Sequence, residues 1–105
     1  MSFLDKLIPV ALPKNLSPSA RKEAERLIAE LIVIGERDGY LSEHPGGQFD
    51  GRCHNSAARR VGQQLNELGR LELMMAARES IRRKLGMQLM SHLDYAWSDI
   101  GDWKP

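Results

Sequence analysis

Residues 17–34 read Ser-Pro-Ser-Ala-Arg-Lys-Glu-Ala-Glu-Arg-Leu-Ile-Ala-Glu-Leu-Ile-Val-Ile, and how this stretch is typed decides the fold. Its end, Leu31-Ile32-Val33-Ile34, also suits a buried strand, because a short apolar run cannot be typed by periodicity alone. The residues upstream decide for helix. Apolar side chains fall at Ala20, Ala24, Leu27, Leu31 and Ile34, spaced by three or four, and Ile28 and Ile32 widen the stripe. Ser17 offers a hydroxyl cap and Pro18 suits the first helical position. Gly35 and Asp38-Gly39 mark the end. Only Glu30 interrupts the apolar run from Leu27 to Ile34, which places this helix at the centre of the domain.

The whole composition agrees. The chain has no Thr and only three Val, against fourteen Leu, nine Ala, ten Arg and eight Glu. Strands favour β-branched and aromatic residues, whereas these four types lose little side-chain freedom in a helix. An all-α domain is expected.

Downstream, residues 39–54 carry four glycines and a proline and are expected to form a long Gly-rich loop. Loops of this length inside compact domains are uncommon and often functional. A second helix then starts at Asn55 or Ser56, with Ala58, Val61, Leu65 and Leu68 on its core face and Gly69 ending it. A third covers Arg70 to Leu85, with Leu71, Met74, Met75, Ile81 and Leu85 inward. Arg82, Arg83 and Lys84 suit its C-terminal dipole, and Gly86 stops it. A fourth covers Met87 to Ser98 and presents Leu89, Met90, Leu93 and Trp97. Alternatively, the second and third are one bent helix with Gly69 inside it, at a cost of about 1 kcal/mol relative to Ala. The expected fold is a small bundle of about four helices in one domain, 1–105. Residues 1–16 form an apolar N-terminal segment, and 99–105 a tail that folds back onto the bundle.

The chain's 105 residues suit one domain, roughly 13 Å in radius of gyration if compact. Fifteen Lys/Arg against fourteen Asp/Glu give a net charge of +1, which excludes a polycation. A single cysteine, Cys53, excludes a disulfide scaffold and fits a reducing compartment. The N-terminal apolar stretch is interrupted by Asp5 and Lys6, broken by Pro9 and Pro13, and lacks a basic leader or a small-residue cleavage site. No apolar run approaches the roughly 20 residues of a bilayer span. A soluble, cytoplasmic protein with no membrane partner is the expectation.

Charge is unevenly spread. Residues 52–84 hold eight basic and three acidic side chains, a local excess of five on a nearly neutral chain. Gly46-Gly47 and Asp50-Gly51 precede Arg52, Cys53 and His54, with Arg59 and Arg60 one turn into the expected helix. Free N–H groups at a helix start attract anions, and arginines grip phosphate or carboxylate bidentately. The spacing matches neither the P-loop nor the dinucleotide fingerprint. Ala57-Ala58-Arg59-Arg60-Val61-Gly62, followed by Leu68 and Leu71, resembles the offsets of a helix-turn-helix, but Gln63-Gln64-Leu65-Asn66 reads as unbroken helix where the turn belongs. Glu67, Glu72 and Glu79 interleave the arginines, and a solvated, salt-bridged face is the plainer reading.

Cys53 between Arg52 and His54 invites a thiol or metal reading. Adjacent residues point apart, however, and a free cysteine commonly packs as a small hydrophobe. The ligand types His44, Asp50, Cys53, His54 and His92 show no zinc spacing. Asp38 to Glu43 lacks the carboxylates of a calcium loop. No catalytic residue, metal or cofactor is assigned.

Met74, Met75, Met87 and Met90 fall in the last two helices, and Trp97 and Trp103 near the C-terminus. Methionine makes adaptable apolar surface, and tryptophan is a frequent interface anchor. The expected function is a non-catalytic module for protein interaction or self-association, using Met87, Met90, Trp97 and Trp103. An anion or nucleic-acid binder using Arg52, Arg59, Arg60, Arg82 and Arg83 is the alternative. Thiol- or metal-dependent activity at Cys53 and His54 comes third.

Overall fold

A computed structural model describes residues 11–38 and 49–103, the side chains of residues 38 and 49–56 excepted. These residues are all-helical, with no strand among them: α1 (Pro18–Asp38), α2 (Phe49–Leu85) and α3 (Met87–Ala96). None of these helices is long and apolar enough to cross a membrane.

α1 begins where capping chemistry places it. The Ala20 N–H donates to Ser17 Oγ at 3.1 Å, and Pro18 opens the helix. Ala24, Leu27, Ile28, Leu31 and Ile32 are buried, while Val33 is half exposed. So α1 buries one face rather than its whole circumference. The central position belongs to α2, against which both other helices pack.

The helix count differs from expectation. Three helices are present among the described residues, not four, because α2 carries the expected second and third helices in one run. The run is not straight. Arg70 has φ 56° and ψ −151°, a conformation native to glycine, inside an otherwise helical stretch. Thirty-seven residues in a straight helix would measure about 55 Å, whereas the molecule's longest dimension is 41 Å. The bent-helix reading therefore describes α2. Gly69 sits at the corner because a Cβ there would lie 2.6 Å from Leu73 Cβ and 3.4 Å from Leu16 Cδ2.

The Gly-rich loop also changes. Phe49–His54 belong to α2, so the helix starts six residues before Asn55. Gly51 is the one glycine in that part, a penalty of about 1 kcal/mol that a long helix absorbs. Residues 39–48, like the 1–10 portion of the N-terminal segment, lie outside the described residues.

The break rotates the core face. Leu73, Met74, Ala77 and Ile81 are buried beyond it, while Leu71 and Met75, both expected inward, are exposed. In an unbroken helix, residue 73 would stand about 120° around the axis from residue 61. The turn at Arg70 brings Leu73 inward beside Ala58, Val61 and Leu65 in one buried cluster.

Gly86, at φ 102°, forms the corner into α3, its N–H bonding Arg82 O at 3.0 Å and its carbonyl accepting from the Met90 N–H at 3.2 Å. α3 ends at Ala96, two residues earlier than the sequence suggests. The tail does fold back. Ile100 and Trp103 are buried, and Trp103 meets Trp97 edge-on at 5.0 Å between ring centroids.

Candidate functional surfaces

The arginines named from the sequence are placed by α2, and most of those described already have oxygen partners. Arg59 Nη1 donates to the carbonyls of Ala96 at 2.9 Å and Ser98 at 2.7 Å. That guanidinium satisfies the open end of α3, where cations suit the helix dipole. Arg60 Nη2 donates to Glu30 Oε2 at 2.9 Å, tying α2 to α1. Arg82 donates through Nε to Glu79 Oε1 at 2.7 Å and pairs with the other carboxylate oxygen as well; Arg83 Nε reaches Glu79 Oε2 at 3.1 Å. The hydrogen bonds from Arg82, reinforced by Arg83, hold the Glu79 carboxyl at about 2, well below its ordinary value. Arg78 grips Asp94 bidentately at 2.7 and 3.0 Å and fastens α2 to α3.

The anion cradle expected at Asn55 is not formed. Residues 55–57 sit inside α2, where backbone N–H groups bond within the helix rather than facing an incoming anion. The side chains of Arg52, Cys53 and His54 lie outside the described residues, as do those of His44 and Asp50 in the metal set. Among the described residues no group of three His, Cys, Asp or Glu side chains is placed to hold a metal ion.

The Met/Trp set divides. Met90, Trp97 and Trp103 are in the core, and only Met87 is exposed, at 66%. Trp97 is held by two features of α2. Its indole Nε1 donates to the Ala58 carbonyl at 2.9 Å, and the ring lies where any side chain at residue 62 would be. A Cβ on Gly62 would stand 2.6 Å from Trp97 Cδ1. The glycine read as part of a helix-turn-helix pattern thus serves close packing against an indole. Sequence periodicity gives no sign of this, because the two residues are 35 positions apart.

Exposed large apolar side chains occur elsewhere: Leu71 and Met75 on α2, Met87 and Tyr95 on α3, and Val33 on α1. Leu71 and Met75 are four residues apart and share a helix face. Sequence periodicity does not reveal this face, because Leu71 and Met75 also fit the core stripe of a separate third helix, Arg70 to Leu85. Beside it, a shallow cleft of about 500 Å³ is lined by residues 11–15, Glu72 and Ala76. Its charged groups are Lys14 and Glu72, of opposite sign and with no catalytic partner in the lining.

No protein-family model matches the chain, and comparison with curated proteins and with solved structures finds no match.

Proposed function

We propose that this chain is a non-catalytic helical module that works by protein contact, with a second copy or a protein partner as its ligand. The observation that carries this reading is the exposed apolar set Leu71, Met75, Met87 and Tyr95 on α2 and α3. Exposed methionine and tyrosine are side chains that adapt to and anchor a partner surface. A reducing, cytoplasmic setting belongs to the same reading and rests on the single cysteine. The contact surface differs from the one suggested by sequence, since only Met87 of the original four is exposed.

The anion-binding alternative has less support. Arg59, Arg60, Arg82 and Arg83 each already donate to a carbonyl or carboxylate oxygen, which a phosphate would have to compete with or share.

Sedimentation over a concentration series tests the proposal. Wild type is expected to associate, and Met75→Glu or Tyr95→Glu to weaken association at unchanged thermal stability, because both side chains face solvent in the protomer. Variants that associate as wild type does would overturn the assignment of the surface.

A further inference from the structure

The break at Arg70 sets local preference against tertiary structure. On either side, Gln63-Gln64-Leu65-Asn66-Glu67-Leu68 and Leu71-Glu72-Leu73-Met74-Met75-Ala76-Ala77 consist mostly of strong helix formers. Left to itself, this sequence would run straight through. Instead Arg70 is held at φ 56°, ψ −151°, a region of backbone space that only glycine occupies without strain. The neighbouring Gly69, which could adopt that conformation freely, is not the residue that turns. Such conflicts between local and global preference mark places where a second arrangement lies close in free energy.

The contacts holding the corner shut all join one side of the hinge to the other. Trp97 Nε1 donates to Ala58 O, and Arg59 to Ala96 O and Ser98 O. The Asn66 carboxamide lies against Gly101, where a Cβ would meet its Oδ1 at 2.7 Å. Residues 12–15 share the cleft with Glu72 and Ala76. Each can form equally well between two chains. By contrast, Arg60–Glu30 lies wholly on the N-terminal side and Arg78–Asp94 wholly on the C-terminal side, so both survive opening.

The geometry points to a domain-swapped dimer in which α2 straightens through Arg70 and residues 71–103 of each chain pack on α1 and the first half of α2 of a second copy. Opening the hinge relieves the strained residue twice per dimer, and the exchanged segment restores the indole, guanidinium and Asn66 contacts across the two-fold axis. Strained hinges are the recognised route to such exchange. The inference rests on the self-association reading and names its partner as an identical chain.

Two adjacent substitutions should act in opposite directions. Gly69→Ala places a Cβ 2.6 Å from Leu73 Cβ only while the corner is closed, so it favours the straight form. Arg70→Gly removes the strain of the closed form and weakens the straight helix, so it favours the monomer. Sedimentation of wild type and both variants reads the balance. Gly69→Ala is expected to tighten dimerisation roughly thirtyfold, because overpacking against Leu73 in the closed corner, about 1 kcal/mol at each of two hinges, contributes about fivefold per hinge. Arg70→Gly should loosen it. The dimer's helix is measured by electron-spin distance between labels on Gln64→Cys and Lys84→Cys in a Cys53→Ser background, diluted with unlabelled chain. A straight α2 places those backbones about 30 Å apart, and the closed monomer gives a clearly shorter distance.

Dimerisation unchanged in both variants, or a dimer retaining the short distance, overturns the swap and leaves association through the exposed surface standing. Wild type and both variants monomeric throughout overturn the swap and the self-association reading together. Should Gly69→Ala fail to fold, Arg70→Gly and the wild-type distance still decide between the arrangements.

Discussion

At the scale of single residues, the best-determined feature is the seat of Trp97. Its ring occupies the space opened by Gly62 and its N–H reaches into the backbone of α2. Gly62→Ala forces ring or helix to move, at an expected cost of about 1–3 kcal/mol from overpacking. Trp97→Ala removes the largest fully buried side chain among the described residues and should cost about 3–5 kcal/mol. Urea denaturation checks both, as lower midpoints at unchanged slope. Trp97 therefore cannot report on partner binding by truncation, since its loss destabilises the protomer itself. Glu79 gives a second residue-scale prediction. Its folded pKa, about 2, lies below the ordinary carboxylate value, so its contribution to stability is complete above about pH 4.5 and is lost as pH falls through about 2. A carboxyl-carbon titration by NMR should place the Glu79 midpoint near 2; a midpoint above 4 would show that the ion pair with Arg82 and Arg83 does not persist in solution.

At the scale of elements, the sequence was most legible where structure is local. Ser17, Pro18 and the spaced apolar residues after them define α1, because capping and periodicity are properties of a dozen consecutive residues. Gly86 marks the corner into α3 for the same reason. Beyond Arg70 legibility is partial: Met74 and Ile81 are buried as the expected stripe requires, but Leu71 and Met75 are not. The stripe through Leu71 and Met75 is a sound period-3.6 reading, but the turn of one residue's backbone swings Leu73 inward and those two side chains outward. No propensity scale anticipates an arginine in a glycine conformation, since only long-range packing holds it there. Glycine content is a poor guide to the start of α2. Gly46, Gly47 and Gly51 suggested a loop through residue 54, yet the helix runs from Phe49.

At the scale of the whole molecule, charge and apolar surface pull the functional reading in different directions. The local excess of five positive charges over residues 52–84 is a real property of the sequence. Folding nonetheless sets Arg60, Arg78, Arg82 and Arg83 against Glu30, Asp94 and Glu79, and Arg59 against carbonyls. Linear charge counting does not see this neutralisation because two of these pairs join different helices. The purified chain is therefore expected to pass through a heparin column at about 0.15 M salt, where exposed charges beyond roughly 8 Å are screened. Firm retention with a steep salt dependence would restore the anion-binding alternative. The apolar surface was legible in kind, as methionine in the last two helices, but not in position. Burial of Met90, Trp97 and Trp103 is decided by how the tail folds back onto α2, which no periodicity encodes.

Association with a protein surface is the central claim, and the native mass of the purified wild-type chain over a rising concentration series tests it most directly. The account predicts a growing population at twice the 11.9 kDa chain mass. A single species at 11.9 kDa at every concentration, with added apolar surface probes bound no better by wild type than by Met75→Glu, would contradict it.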